Sequence, residues 1–156
     1  LEYGAQPLRR KSFRAGPLFR ALVAQFCENA QEKKCEIALE QSEQSEQAML
    51  CADRALLERL LENLLNNSIR HNPGRVSITV RTEAAGGCFC LTVADDGCGY
   101  PPAVLAAMNA PEVCENAPHI LGLHVVEQIA IAHGGKAEFA QNIPQGAKAV
   151  ISLPME

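Results

Sequence analysis

The stretch from Asp53 to His71 limits most strongly what this chain can fold into. Its apolar positions recur at helical spacing, at Leu57, Leu61, Leu64 and Leu65, which predicts one long amphipathic helix. Asp53 is a favourable N-cap, and the turn-forming segment Asn72-Pro73-Gly74 ends the helix. Such a helix must bury its leucine face against another layer, so a domain of at least two layers is expected.

Short segments with strand patterns supply the second layer. They run from Cys35 to Glu40, Ala48 to Cys51, Val76 to Val80, Cys88 to Ala94, Lys136 to Ala140 and Ala147 to Leu153. Further helices are expected from Gly16 to about Lys34, near Ala103 to Met108, and from Leu121 to His133, and the polar repeat from Glu40 to Gln47 is expected to be an exposed hairpin loop. The predicted fold is an α/β (α+β) two-layer sandwich, with a mixed, largely antiparallel sheet covered on one face by about three helices.

Length and charge narrow the possible functions. With 156 residues the chain has the size of one domain, divided here into a connector over residues 1–15 and a folded domain over 16–156. The formal charge of −4 argues against nucleic acid and against direct membrane contact. Seven cysteines without any Cys-x-x-Cys spacing favour reduced, mostly buried thiols over a zinc site.

Polar side chains form a stripe along the long helix. Asn63, Asn67, Arg70 and His71 stand at i, i+4, i+7 and i+8, so they share one side of it. Two carboxamides and a guanidinium on one side suit a hydrated magnesium ion and phosphate oxygens. Taken alone, the stripe is more typical of the solvated side of an amphipathic helix.

Two further segments carry chemistry. A strand that ends in Asp95 and continues through Gly97 and Gly99 places a carboxylate where a ligand amine, such as that of adenine, can approach closely. The segment from His119 through Gly122 and Leu123 leads into a helix, whose free N–H groups and dipole favour phosphate. Each has an ordinary alternative, a tight turn in the first case and a loop-to-helix junction in the second.

In order and spacing, the three segments resemble the N box, first glycine box and second glycine box of the catalytic domain of sensor histidine kinases, within the Bergerat-fold (GHKL) ATPase superfamily. The C-terminal part, with His133-Gly134-Gly135, Gly146 and a closing Ile-Ser-Leu-Pro154, is similar as well. The resemblance extends from about residue 17 to 154. It implies that the domain binds ATP and Mg²⁺ and acts as a protein-histidine kinase.

Residue by residue, the resemblance implies a role for each matching position. Asn67 would ligate Mg²⁺ with Asn63 close by, and Arg70 would contact phosphate, which makes Asn67 and Arg70 the catalytic candidates. The adenine end would be formed by His71, Asp95, Gly97, Gly99 and Tyr100, with Asp95 accepting from the adenine amine. The phosphate end would be formed by His119, Gly122 and Leu123, beneath a lid over residues 102–118.

Two departures from the family pattern concern the phosphate end. Gly122 is the lone glycine of the second box, and no Lys or Arg occurs between Thr82 and Gly135, so the lid offers no guanidinium. His119 or His124 are the residues available in its place. No histidine lies in a His-Glu-x-x-x-x-Pro pattern, so the resemblance implies a phosphoacceptor on an upstream dimerisation domain.

The implied partners are ATP or ADP, the dimerisation/histidine-phosphotransfer domain and, indirectly, a response regulator, with the domain in the cytoplasm as part of a membrane-anchored sensor kinase. Two alternatives stay open. One is another Bergerat-fold ATPase, such as an anti-sigma serine kinase; those relatives place a general-base Glu where this chain has Asn63. The other is a degenerate domain that binds nucleotide for regulation without kinase activity.

Overall fold

The structure is a computed structural model that describes residues 8–29, 35–70, 72–108 and 118–155, with the side chains at 29 and 118–121 outside the description. The helices are α1 (Ala15–Asn29), α2 (Glu43–Gln47), α3 (Arg54–Arg70), α4 (Pro102–Met108) and α5 (Pro118–Ala132). The strands are β1 (Lys11–Arg14), β2 (Cys35–Gln41), β3 (Met49–Ala52), β4 (Val76–Ala85), β5 (Cys88–Asp95), β6 (Lys136–Gln141) and β7 (Ala147–Pro154).

A five-stranded sheet in the order β2-β4-β5-β7-β6 forms one layer. Only the β2–β4 pair is parallel; β4–β5, β5–β7 and β6–β7 are antiparallel. Every second side chain of β4 and β5 is buried, as the period of two requires, so the sheet has one core face. The predicted mixed, largely antiparallel sheet is confirmed.

Helices α1, α3 and α5 cover that core face. Helix α1 packs on β2, α3 on β4 and β5, and α5 on β6 and β7. The rings of Phe19 on α1 and Phe89 on β5 stack with centroids 5.6 Å apart and planes inclined by 16°. The architecture is therefore the two-layer sandwich with three covering helices that the patterns predict.

Helix α3 follows its sequence pattern closely. The backbone N–H of Leu56 donates to Asp53 Oδ1 at 3.3 Å, so Asp53 is the N-cap. The leucine face is at most 3% exposed at Leu57, Leu60, Leu61, Leu64 and Leu65. Full burial stabilises the fold by roughly 1.5–3 kcal/mol for each leucine, so the rotation of α3 about its axis is strongly determined.

The prediction of an exposed hairpin loop between Glu40 and Gln47 is wrong. Ser42 caps the short helix α2, and Ser45 is completely buried, with its hydroxyl 3.0 Å from the Thr82 carbonyl oxygen and 2.8 Å from Thr82 Oγ1. The strands on either side also belong to different sheets, β2 to the five-stranded sheet and β3 to a pair with β1. A serine such as Ser45 can be buried in this way because the hydrogen-bonding capacity of a single hydroxyl is readily satisfied.

Part of the expected connector is packed into the domain. Strand β1 pairs antiparallel with β3, with Lys11 opposite Ala52 and Arg14 opposite Met49. The backbone N–H of Arg9 also donates to Asp53 Oδ2 at 3.1 Å. That residues 1–15 lead from an upstream region stays a prediction.

The cysteines differ from expectation in burial. Within the described residues all six are free thiols, as expected, but none is buried, and Cys27 and Cys98 are exposed. Partial burial raises the pKa of the Cys90 thiol, and the neighbouring Cys88 raises it further. Of the helices described, none combines the length and the apolar character that crossing a bilayer requires.

A buried histidine joins the beginning of α3 to the end of α5. His133 is 3% exposed, and its Nε2 lies 3.0 Å from the backbone nitrogen of Asp53. Because a backbone N–H always donates, Nε2 must accept, so the proton is on Nδ1, which donates to the Ile129 carbonyl at 2.8 Å. His133 is therefore a neutral residue of fixed tautomer that holds two of the covering helices together.

We predict that His133→Ala lowers the free energy of unfolding by about 1–3 kcal/mol, because it removes a buried side chain and leaves the backbone N–H of Asp53 without its acceptor. Urea denaturation measures the change, with Lys136→Ala, at an exposed position nearby, as the control. A His133→Ala variant as stable as the control would contradict the role given to this side chain.

Candidate functional site

The polar stripe of α3 lies beside its buried leucine face. Asn67 is 8% exposed, and no hydrogen bond joins its carboxamide to another residue in the described part of the chain. Asn63 is half-buried and donates from Nδ2 to the Arg59 carbonyl at 3.0 Å, which leaves its Oδ1 as an acceptor. Arg70 is exposed in the last turn of α3. The stripe thus presents amide oxygens close to the core and a cation at the rim.

Asp95, the last residue of β5, divides its two carboxylate oxygens between different tasks. The side chain is 2% exposed, and Oδ1 accepts from the backbone N–H groups of Gly97 at 2.9 Å and Ala147 at 3.1 Å. Among the described residues Oδ2 has no hydrogen-bond donor. One oxygen therefore fixes the carboxylate, and the other is available to accept from a ligand.

Asn72 fastens the loop after β5 to the end of α3. Its Oδ1 accepts from the backbone N–H of Cys98 at 2.9 Å, and its Nδ2 donates to the Ser68 carbonyl at 2.6 Å. A Cβ on Gly97 would overlap this carboxamide, so the glycine permits the close approach. The first glycine box and the N box are thus neighbours in space.

Tyr100 belongs to the core more than to an open pocket. It is 5% exposed, and its ring meets Phe139 edge-on with centroids 6.3 Å apart. Burial raises the pKa of its hydroxyl, and the nearby Asp95 carboxylate raises it further, so the phenol stays neutral. Its position near Asp95 is compatible with the predicted adenine end, where the Tyr100 ring would pack behind the residues that contact adenine.

The second glycine box begins its helix earlier than predicted. Helix α5 starts at Pro118, a residue type favoured at the first helical position, and not near Leu121. Because the unpaired N–H groups of a helix are those of the N-cap and the first three helical residues, and Pro118 has none, the free amides at the start of α5 belong to residues 119 and 120, and that of Gly122 falls inside the helix. A Cβ on Gly122 would stand 3.8 Å from Asn63 Oδ1. This box therefore also lies against α3.

The predicted site residues are brought together to different degrees. Asn63, Asn67, Asp95, Gly97, Gly99 and Gly122 lie on three adjoining segments, whereas Leu123 has a fully buried side chain and an N–H inside α5, so it is not presented to a ligand. His71 and the His119 side chain lie outside the described residues. Of the predicted lid, α4 is described, with Val104 and Met108 buried, and residues 109–117 are outside the description.

Sequence reasoning missed the residues that hold the loop. The sequence predicts Asn72 only as part of a helix stop and Gly146 only as part of a turn and of the C-terminal resemblance, and it predicts no site role for Gln141 or Asn142. The structure places the last three against the Asp95–Tyr100 loop. The sequence feature that could have indicated these contacts is the high number of amide side chains around that turn, but it does not show which residues they contact.

Comparison with known proteins identifies the family. The sequence profile described as "Histidine kinase-, DNA gyrase B-, and HSP90-like ATPase" matches residues 52–156. The chain belongs to this family. The resemblance proposed from the three boxes is thereby confirmed, and ATP use follows from the family.

Curated relatives of this ATPase domain are sensor kinases. The alginate biosynthesis sensor protein KinB of Pseudomonas aeruginosa is 26% identical over 155 residues, which cover 97% of this chain and 26% of that protein. The sensor protein QseC of Salmonella typhimurium is 33% identical over 101 residues, covering 62% of this chain and 22% of that protein. The chain spans about a fifth to a quarter of the length of the curated relatives it matches.

Solved structures support the fold of this ATPase domain. The catalytic domain of the histidine kinase ThkA superposes with a TM-score of 0.80 at 21% identity, covering 95% of this chain and 97% of that one. The Acinetobacter baumannii histidine kinase AdeS gives a TM-score of 0.76 at 19% identity, covering 99% and 72%. At these identities the comparison shows a shared fold.

We predict that Gly146→Ala destabilises the domain by at least about 2 kcal/mol. Gly146 has φ +106, which is costly for alanine, and its Cβ would overlap the Asp95 carbonyl oxygen. Gly74→Ala is the matched control, because nothing lies within 4 Å of the added atom and no positive φ is required; it should change stability by less than about 0.5 kcal/mol. Equal denaturation midpoints for the two variants would contradict the prediction.

Proposed function

We propose that the domain binds ATP with Mg²⁺ where α3, the loop after β5 and the beginning of α5 meet. The observation that carries this proposal is the state of Asp95, a carboxylate 2% exposed with Oδ1 held by two backbone N–H groups. Its Oδ2 is left to accept from the exocyclic amine of adenine. A charge-assisted hydrogen bond from a ligand amine to this oxygen would be favourable, which supports a ligand at this position.

The chemistry of α3 fits a magnesium ion at the other end of the site. Mg²⁺ prefers hard oxygen ligands and keeps several waters, so one or two protein oxygens suffice. Asn67 would supply its nearly buried carboxamide oxygen, and Asn63 Oδ1 would bind the ion directly or through water. When bound, the ion supplies charge neutralisation at the transferred phosphate.

Arg70 is the cation that would lie near the phosphates. No Lys or Arg occurs from residue 83 to 134, a range that contains the first glycine box, the lid and the second glycine box. Arg70 would therefore contact phosphate oxygens from the rim of α3, and the free amides at the start of α5 would add a second contact.

The reaction we propose is that of a two-component sensor kinase, in which the γ-phosphate passes to a histidine on a separate dimerisation domain. The names of the curated relatives support it. His133 is unsuited as acceptor, because both ring nitrogens are hydrogen-bonded in the core. Asn63 occupies the position of the general base in hydrolytic relatives, and a carboxamide cannot take up a proton from water.

The larger protein would then be a membrane-anchored sensor with this domain in the cytoplasm, signalling to a response regulator. One solved relative is the histidine kinase ThkA in complex with the response regulator TrrA, which supports a partner of that class. The stretch from residue 1 to 15 would connect the domain to its dimerisation region. We expect no nucleic acid partner.

Asp95→Asn should weaken MgADP binding at least tenfold, without loss of fold. The two backbone N–H groups that hold Oδ1 require an acceptor, so the asparagine must turn its oxygen toward them and its amide nitrogen toward the adenine amine. A charge-assisted hydrogen bond worth about 1.5–3 kcal/mol is then lost. Isothermal titration calorimetry measures the affinity.

The matched control is Asp96→Asn, which changes the same charge one residue later and keeps the acceptor that Ser77 N–H uses at 2.8 Å. It should alter MgADP affinity by no more than about twofold, as expected of a surface substitution. Unchanged affinity in Asp95→Asn would place the adenine site elsewhere, and no binding by the unmodified domain would overturn the proposed function.

Asn67→Ala should abolish phosphate transfer to an added dimerisation domain from the full-length protein, because it removes a magnesium ligand while alanine favours the helix. Asn66→Ala, one residue earlier on the same helix, should keep most of the transfer. Radiolabelled ATP follows the reaction, and the dependence of ATP affinity on Mg²⁺ provides an independent measurement. Acid-stable phosphate, or label on the domain itself, would refute the histidine-kinase assignment.

A further inference from the structure

Three carboxamide side chains around the β6–β7 turn reach back to the loop that carries Asp95. They are Gln141, Asn142 and Gln145, and we name them the amide clamp. All of their hydrogen bonds to this loop go to its backbone atoms, between Asp95 and Tyr100. The clamp therefore sets the path of the loop, whatever side chains the loop bears.

Gln141 makes the most specific of these contacts. Its Oε1 accepts from the backbone N–H of Tyr100 at 2.9 Å, and its Nε2 donates to the carbonyl of the same residue at 2.7 Å. One side chain thus pairs with Tyr100 as a neighbouring strand would, satisfying both of its backbone groups. Gly99, with φ +81, lies directly against it, and a Cβ there would overlap Gln141 Oε1.

The other two members act at the opposite end of the loop. Asn142 Nδ2 donates to the Asp95 carbonyl oxygen at 2.9 Å, and Gln145 Nε2 donates to the Asp96 carbonyl oxygen at 2.6 Å. The loop is therefore held at both ends by the same turn. Ala147 N–H, which follows that turn, holds the Asp95 side chain itself.

Hydrogen bonds have unusual weight between Asp95 and Tyr100, because no side chain of residues 96–99 packs into the core and the apolar anchor of the loop is Tyr100 at its end. Asp96 and Cys98 are exposed, and Gly97 and Gly99 have no side chains to bury. Without the clamp such a segment would sample many conformations, and binding would have to order it. A loop held beforehand in its binding shape avoids that cost, which is the general advantage of preorganisation.

We propose that Gln141, assisted by Asn142, is a positioning residue for nucleotide recognition, which aims Asp95 Oδ2 and the following glycines at the adenine. The proposal rests on the proposed function of the site. It assigns no contact between Gln141 and the nucleotide. Its effect is confined to the adenine end, because the groups on α3 that face the phosphates are held independently by the leucine face.

The test compares two probes, MgADP and magnesium tripolyphosphate, which lacks the nucleoside. Gln141→Leu keeps the size of the side chain and removes both hydrogen bonds to Tyr100. We expect about tenfold weaker binding of MgADP and unchanged binding of tripolyphosphate, measured on the whole chain by calorimetry. Asn142→Ala should act in the same direction more weakly, and Gln44→Leu, at an exposed glutamine on α2, is the matched control.

Amide hydrogen exchange of residues 96–100 in the nucleotide-free protein gives a second measurement. Exchange there should quicken in Gln141→Leu and stay unchanged in β4, which shows that the loop has loosened while the sheet is intact. Equal losses of affinity for both probes, or faster exchange throughout the sheet, would mean a merely structural role and overturn the proposal. Unchanged MgADP affinity would also overturn it, whereas a wild-type chain that binds neither probe would instead refute the proposed function.

Discussion

Burial of the leucine face of α3 is the constraint on which the site depends. Successive residues turn by 100° around a helix, so a face fixed against β4 and β5 also fixes where every other side chain points. Asn67 is 8% exposed because it stands at the border of that face, and Asn63 precedes it by one turn of the helix. The polar stripe is thus positioned by apolar packing, which is stiffer than any hydrogen bond the amides could make among themselves.

The sheet supplies the other half of the site through a single carboxylate, whose two oxygens have different roles. Asp95 is the last residue of β5. It remains buried because two backbone N–H groups donate hydrogen bonds to one of its oxygens. The lid and both glycine boxes add no Lys or Arg to these surroundings, since neither residue type occurs from residue 83 to 134. A polyanionic ligand would therefore depend on a divalent cation here more than in a site rich in lysine and arginine.

The spacing of apolar residues predicted most of the fold, because it shows which side of each helix or strand is buried. The leucines of α3 and the alternation along β4 and β5 specify which faces are inside, and the box residues identify the three segments that meet. Ser45 and the β1–β3 pairing could not be predicted, because a polar repeat looks solvated until a partner such as Thr82 is known. The same holds for the contacts of Asn72 with Cys98 and of Gln141 with Tyr100. These partners are far away in sequence and are backbone atoms, so they leave no pattern in the sequence.

The position of the amide clamp in the sheet links the site to local stability. Among the strands that the structure describes, β6 is at the edge of the five-stranded sheet and pairs with β7 alone. Within the described residues, its end and the turn that follows therefore have hydrogen-bonded backbone neighbours on one side. Edge elements of this kind open at lower free energy than central strands. If the clamp holds the loop for nucleotide, opening of this edge releases the loop and lowers affinity. By thermodynamic linkage the reverse must also hold: bound nucleotide stabilises the closed edge strand by the same free energy by which opening weakens nucleotide binding.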